Sequence, residues 1–473
     1  MGAILWGKSE EDVNTFAARL RIPACTGGLR PSKEHIVIPW KVEEYRGDCS
    51  LMLNAPSFVK RAGDRQAMER ILGLWAIPHE LTKSALYKVL IFQSEPLVLR
   101  KRQLWTASGG QEGTDSAERG RWTALELDHT RPLVRKLCRL AVKALYAAGL
   151  DYGEVGLHWN DKGEEAVTTI VPYPELTRSD QEKFIQAIQR FSDQLDVSAK
   201  VPDSFMIGAD LEFVICRENG GIMMADRLFG KQGSIGSDSI WSRDRKMIYP
   251  LAEIRPKPGR TPEELVRSIR STLLKAARKA PKPELIWKAG GMPQGRLELG
   301  GHLHFSGTQM NHFLMRALDN YAALPLILIE DETTSRRRPR FGFPGDVRWK
   351  SHGGFEYRTL PSWIVSPRAA KGVCALAYVI VHHYWKLQDR PLDQPETLRD
   401  YMEGHKSGLY STVRSLWKQL EQTSTYKQYE HYLTPLKRQI FSKKSWNEQR
   451  DIRCTWMLPP YEPVTISTSP RGS

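Results

Sequence analysis

The chain reads as an α+β protein with its strands gathered in the second half. Three observations predict this. Segments with a two-residue alternation of apolar and polar side chains, the mark of a strand with two different faces, occur at 206–215, 251–259, 296–307 and 353–362. A helix is expected among these strands at 261–280, and the pattern turns mostly helical from about 367 onward. And 473 residues exceed what one hydrophobic core organises, so two or three domains are expected.

In chain order, 131–150 (RPLVRKLCRLAVKALYAAGL) predicts an amphipathic helix, with Leu133, Leu137, Leu140, Val142 and Leu145 at helical spacing and Gly149 at its end. A strand pair follows at 154–160 and 166–174, joined by a DKGE turn. A second helix is expected at 180–197. The Gly-, Ser- and charge-rich segment 106–121 predicts a loop, and the polar stretch 198–204 predicts a domain boundary. The expected domains are therefore an accessory α/β domain over 1–200 and a second domain over 204–473. Beyond the boundary, 261–280 predicts a helix with Thr261 as cap, Pro262 in the first turn and Glu264 closing a capping box. From about 367 onward the pattern is mostly helical and rich in aromatic residues and lysines.

Composition narrows the class. The chain is 41% hydrophobic, enough for a sizeable core, and no apolar run reaches the length a membrane span needs. The start, MGAILWGKSEED, has no basic region ahead of its apolar residues, so a secretory signal is not expected. Six cysteines (25, 49, 138, 216, 374, 454) form no CxxC pair. That spacing argues against a disulfide framework or structural zinc site and favours the cytoplasm. The net charge of +15 predicts an anionic partner. No motif interleaves aromatic and basic residues as a nucleic-acid surface would, so nucleic acid is not the expected partner.

Four strands carry the chemistry. Asp210 and Glu212 share a face of one; Glu253 and Arg255, His302 and His304, and Glu356 and Arg358 share faces of the others. The alternate positions hold Leu211, Phe213, Ile254, Leu303, Phe305, Phe355 and Tyr357. One sheet face is therefore expected to be apolar and the other to collect four acids, two histidines and two arginines. An ordinary wet face would instead carry Thr, Ser, Lys and Gln. Carboxylates and imidazoles without thiolates suit hard divalent cations such as Mg²⁺ or Mn²⁺. With converging arginines, they are the equipment for phosphoryl chemistry.

The order DxE, AEIRP, GGHLH, an arginine-rich loop (SRRRPRFGFPGDVRWK, 335–350) and FEYR resembles the amidoligase branch of the glutamine synthetase/glutamate–cysteine ligase superfamily, within it the phage-type carboxylate–amine ligases. The likeness covers about residues 204–370. It implies a curved antiparallel glutamine-synthetase-like sheet, ATP and Mg²⁺. It also implies a γ-phosphoryl transfer to a carboxylate, followed by displacement of phosphate by an amine. By motif, Asp210, His302 and Glu356 would hold the metal nearest the nucleotide phosphates. Glu212 and Glu253 would hold the one nearest the acceptor. Arg358, with one or more of Arg336, Arg338, Arg340 and Arg348, would stabilise the transferring group, Arg255 would help hold the nucleotide, and His304 would sit by the phosphate or acyl oxygen. Asp210 departs from the Glu usual in the family. Asp238, in GSIGSDS, is a further candidate acid near the amine.

The first half, GLDYGEVGLHW followed by AVTTIVPYPEL, is similar to the closing segment of an ATP-grasp domain. Where that family places metal ligands this chain has Thr169, Ile170 and Val171, so a non-catalytic accessory role is implied. The acceptor remains open among small molecules, peptides, proteins and anionic polymers, as does assembly into oligomers. The residues themselves leave two other readings open: a metal-dependent phosphoesterase or nuclease, and a binding protein that keeps the fold without turnover.

Overall fold

The structure, a computed structural model, describes residues 2–17, 19–26, 35–42, 51–103, 121–160, 162–198, 204–242, 244–350 and 353–461. The loop expected at 106–121, Arg121 apart, and positions 199–203 of the expected boundary lie outside these residues. The chain divides into two units, Met1–Lys200 and Val201–Ser473.

The first unit has two sheets. In the smaller, β1 (Gly2–Gly7) lies parallel to and between β2 (Ala24–Thr26) and β3 (His35–Trp40). The larger is antiparallel and is built from β4 (Tyr87–Phe92), β5 (Glu95–Gln103), β6 (Arg121–Leu125), β7 (Tyr152–Trp159) and β8 (Glu165–Val171), in the order β6–β5–β4–β7–β8. Helices α1 (Glu10–Ala17), α2 (Pro56–Gly63), α3 (Arg65–Leu74), α4 (Pro132–Ala147) and α5 (Arg178–Ser198) complete it. The strand pair expected from sequence is β7–β8. Helix α4 forms as expected, but its buried stripe is Val134, Leu137, Cys138, Ala141, Ala144 and Leu145. Leu133 therefore lies exposed in the first turn, and Leu140 and Val142 are half-buried at the stripe's edges. Gly149 ends the helix region at φ +82°, a conformation other residues resist.

The second unit is α+β around one curled antiparallel sheet. Its centre is β9 (Met206–Arg217), twelve residues long and therefore able to serve four neighbours. One edge of β9 pairs with β12 (Met247–Ile254) and then β10 (Ile222–Met223); the other pairs with β14 (Gly301–Ser306) and then β13 (Leu285–Lys288). Outward from these lie β11 (Ile235–Trp241) beside β12, and β16 (Phe355–Tyr357) and β15 (Val347–Trp349) beyond β14. Four of these strands escape the sequence pattern. Strands β10, β13 and β15 are two to four residues long, β15 within the arginine-rich loop, and β11 begins in the Gly/Ser run that carries Asp238. Strand β12 starts four residues before the expected 251 and stops at Ile254, because Pro256 follows closely and cannot donate to a ladder.

Alternation puts Ile207, Ala209, Leu211, Phe213, Ala252, Ile254, Leu303, Phe305, Phe355 and Tyr357 on one face, and all are buried. Helix α6 (Pro262–Lys279) packs on β9 and β12 and against α9 (Pro367–His383). Thr261 caps α6, accepting from the Glu264 N–H, while the Glu264 carboxylate reaches past the cap to the Arg260 N–H (2.8 Å). The remaining helices are α7 (His312–Leu318), α8 (Leu324–Ile327), α10 (Pro395–Glu403), α11 (Leu409–Glu421), α12 (Ser424–Gln428), α13 (Glu430–Phe441) and α14 (Ile452–Thr455). Among the described residues no helix is long and apolar enough to cross a membrane.

Leu303 sits fully buried at the centre of the apolar face. Leu303→Ala is expected to lower the stability of this unit by about 2–5 kcal/mol. Equilibrium urea unfolding checks this; a loss near zero would mean that this face is not core.

Candidate active site

The register of the sheet stacks the polar side chains into rows on the face opposite the core. Glu253 stands directly opposite Glu212, and Gly236 opposite Glu253. Asp210 pairs with His302. His304 lies between Gly208 and Glu356, and Glu356 pairs onward with Arg348. Directly opposed residues share a face with Cβ atoms about 4.5–5.5 Å apart, so these strands bring Asp210, Glu212, Glu253, His302, His304, Glu356 and Arg348 together. Further along β9 the same face turns apolar: Val214 and Cys216 pack with Leu251, Leu297 and Leu299. The carboxylate and imidazole rows are thus gathered toward one end of the sheet, with Asp238 and Lys288 at the margins of the apolar part.

Glycines make room for the rows. A Cβ on Gly300 would collide with the His302 ring, and one on Gly236 with the Arg255 guanidinium. Gly301 backs onto the Pro361 carbonyl and the Trp363 ring, which a side chain would displace.

Each carboxylate has a partner. His302 Nδ1 lies 3.1 Å from Glu356 Oε1, and His304 Nε2 lies 3.0 Å from Asp210 Oδ2. Glu253 is bound by Arg255, which also donates to the Gly233 carbonyl (3.2 Å). Glu212 accepts from the Gly300 N–H (2.6 Å). Glu356 is the most heavily engaged: Lys350 Nζ at 2.6 Å, Arg358 Nε at 3.3 Å and Arg348 Nη1 at 3.5 Å join His302. Burial acts to raise the Glu356 carboxyl, but the His302 hydrogen bond and charge, with Lys350 and Arg348, hold it far below the ordinary carboxylate range. In Asp210 burial is likewise outweighed, by His304, and the carboxyl is lowered. Glu212 goes the other way: burial pushes it up, against His302 and the Gly300 hydrogen bond.

The arginine-rich segment separates into distinct parts. Residues Glu332–Arg337 form a short 3₁₀ helix. Arg337 is fully buried and donates to three successive carbonyls, Arg358 (3.4 Å), Thr359 (2.8 Å) and Leu360 (3.1 Å). Arg338 is buried as well and bonds Glu330 (3.0 Å), with its guanidinium over the Tyr401 ring. Arg336 is exposed, and Arg340, 76% exposed at its side chain, lies 3.7 Å from Glu298. Of the five, only Arg348 reaches the rows. Asp238 sits on β11 beside Leu251, with its Oδ1 accepting from the Ser239 N–H.

Two residues missed in the sequence belong to this arrangement. Lys350 follows Arg348 by two positions, the spacing that keeps both on one face of an extended segment, so a signal was present. Arg337 holds the backbone that leads away from Glu356; nothing in a run of three arginines distinguishes it from its neighbours.

A divalent cation fits the chemistry of the donors. Glu212 and Glu253 are opposed, buried carboxylates (each 6% exposed), a like-charged pair that a cation would relieve. Among the described residues, however, no three acidic, histidine or cysteine side chains are grouped so as to hold an ion as they stand. Arg255, Lys350 and the histidines occupy the carboxylates instead.

The lowered carboxyl of Glu356 predicts a pH signature. Its stabilisation is complete above the ordinary carboxylate value and is lost as pH falls toward its depressed native value. Glu356→Gln is therefore expected to cost roughly 3 kcal/mol at pH 7. The gap should narrow below about pH 4, near the ordinary glutamate value. Urea unfolding of both proteins at pH 7 and pH 3.5 measures the gap; an equal gap at both values would contradict the assignment.

Comparison with known proteins agrees with the order of motifs. Residues 207–458 match the model of the family described as phage phiEco32-like COOH.NH2 ligase-type 2. No curated protein matches. Among solved structures, a bifunctional glutathione synthetase from Pasteurella multocida is 11% identical with a TM-score of 0.32, over 56% of this chain and 49% of that one. The present chain thus spans about half of that protein's length. Macrocyclase MdnC from Microcystis aeruginosa MRC, bound with precursor peptide MdnA, is 10% identical with a TM-score of 0.26, over 41% of this chain and 99% of that one. ATP-grasp ligase PsnB, complexed with minimal precursor, is 11% identical with a TM-score of 0.25, over 42% and 100%. Likeness at these TM-scores assigns no activity. The family match spans more than half of the chain and includes every row of the sheet described above, and the chain belongs to the phage phiEco32-like COOH.NH2 ligase-type 2 family.

Proposed function

We propose that the chain is an ATP- and Mg²⁺-dependent ligase that joins a carboxylate to an amine through an acyl phosphate. The observation that carries this reading is the stacking of Asp210, Glu212, Glu253, His302, His304 and Glu356 on one sheet face in a chain of the COOH.NH2 ligase family. Asp210, His302 and Glu356 would hold the divalent cation nearest the nucleotide phosphates, and Glu212 and Glu253 the one nearest the acceptor. Mn²⁺ suits the same donors. When bound, the cations neutralise phosphate oxygens and polarise the P–O bond that breaks.

The chain's own residues account for the remainder. Arg348 and Arg358, both beside Glu356, stand where guanidinium groups can meet charge on the transferring phosphoryl group. The acceptor carboxylate oxygen attacks the γ-phosphorus, ADP leaves, and the acyl phosphate forms. The amine nitrogen then attacks the acyl carbon, phosphate leaves with its bonding electrons, and the nitrogen loses a proton. His304, held at Asp210, is positioned to steady the acyl oxygen or the departing phosphate. Arg255 and the exposed Arg336 and Arg340 remain available to the nucleotide's outer phosphates or base. Arg338 is committed to Glu330 and is given no such role.

The first unit is assigned an accessory, non-catalytic part: Thr169, Ile170 and Val171 of β8 offer no metal-binding side chains beyond one hydroxyl. The net charge of +15 favours an acidic acceptor, a peptide or anionic polymer among them.

Purified protein with Mg²⁺ and ATP is expected to release ADP and phosphate only when both a carboxylate and an amine are supplied. Screening a grid of amino acids, amines and peptides locates the pair. Glu253→Gln should lower that turnover by about 100-fold or more. Release of ADP without any amine or acceptor, or hydrolysis of a phosphodiester without ATP, would contradict the reading.

A further inference from the structure

Full cations are unevenly shared among the carboxylates of the rows. Arg255 is at Glu253, whereas Arg348, Lys350 and Arg358 all crowd Glu356; Asp210 has His304 and Glu212 the Gly300 N–H. A divalent cation alone would add positive charge to this face, and a polyphosphate alone negative charge. Bound together, each offsets part of the other's charge. For Glu356 to bind a cation, one of its present partners has to leave.

The four partners differ in how easily they can do so. His302 is itself in the proposed ligand set. Arg358 lies two residues after Glu356, just past the end of β16; its side chain is 16% exposed, and its backbone N–H is tied to the Asp346 carbonyl (2.8 Å). Arg348 is 55% exposed and already 3.5 Å away, a weak hold. Lys350 makes the shortest contact, 2.6 Å, and its side chain is 25% exposed at the end of the edge strand. Its ammonium is a compact, strongly hydrated charge on a flexible stem, which can swing without breaking a bidentate fit.

We propose that Lys350 is a displaceable counter-ion. It holds Glu356 while the site lacks a cation, yields that carboxylate to an arriving divalent ion, and transfers its charge to the anionic ligand that comes with the ion. Lys350 thereby makes cation and polyphosphate bind as a pair. This inference rests on the proposed function, and it makes Lys350 a positioning residue acting through Glu356.

The test is direct binding by the full chain, without turnover. Mn²⁺ affinity is measured by electron paramagnetic resonance of the free ion, and inorganic tripolyphosphate affinity by calorimetry, each with and without the other ligand. In the wild type each ligand should tighten the other. In Lys350→Met, Mn²⁺ alone should bind about tenfold more tightly, tripolyphosphate more weakly, and the mutual tightening should shrink. Lys350→Gln, read in the same way, serves if the methionine variant does not fold. Unchanged or weaker Mn²⁺ binding in the charge-removing variants, with normal binding in the wild type, overturns this inference alone. A wild type that binds neither Mn²⁺ nor tripolyphosphate overturns the ligase reading and the inference with it.

Discussion

A carboxylate taken out of water has to be answered by a positive charge or a set of hydrogen-bond donors, and the second unit is arranged around that constraint. Glu356 is 1% exposed and touches three cationic side chains and the His302 ring, drawn from β14, β15, β16 and the residues that adjoin them. Glu212 is held by a backbone N–H from Gly300, and Glu253 by Arg255. The contacts that cross strands, His302 with Glu356, His304 with Asp210 and Arg348 with Glu356, depend on the register of the central sheet. A slip of one residue between β9 and β14 would turn Asp210 and Glu212 away from His302 and drive them into the core where Leu211 and Phe213 now lie. The apolar face and the ionic face therefore enforce each other.

That mutual dependence explains the glycines and the buried arginine. The rows approach so closely that Gly236 and Gly300 leave no space for a side chain. Behind them, Arg337 satisfies three backbone carbonyls after Glu356 and so fixes where the strand ends. Placing a guanidinium there is costly in desolvation, and burial lowers its proton affinity. Strand β16 ends at Tyr357, and Arg337 supplies donors to the carbonyls of the segment beyond it, of which Leu360 also accepts from the Gly301 N–H (3.0 Å).

Much of this was legible in the sequence because strands repeat every two residues. The pairs Asp210/Glu212, His302/His304 and Glu356/Arg358 could be assigned to faces without knowing which strands were neighbours. The helix at 261–280 announced itself through its cap and its proline. What the alternation could not supply was the pairing order, which sets β9 between β12 and β14, strands far from it in the chain. Short elements were also hidden. Strand β15 has three residues, so the two-residue spacing of Arg348 and Lys350 is a signal only once an extended segment is known to be there. The arginine-rich segment has one composition but opposite fates for adjacent residues: Arg336 is exposed and Arg337 buried, a difference set by the 3₁₀ turn and by what packs on it. In the first unit the helical period at 131–150 was correct, yet the buried stripe was rotated by about one residue because Leu133 competes with Val134 for the first inward position.

The central claim is that the ionic face of this sheet is a divalent-cation site built from residues of separate strands. Pulsed electron paramagnetic resonance of Mn²⁺ bound to the full chain tests it most directly. The expected result is a nitrogen coupling from an imidazole ligand that disappears in His302→Gln, together with much weaker Mn²⁺ binding in Glu356→Gln. Mn²⁺ that binds equally well in both variants, with its nitrogen coupling unchanged or absent throughout, would contradict the claim.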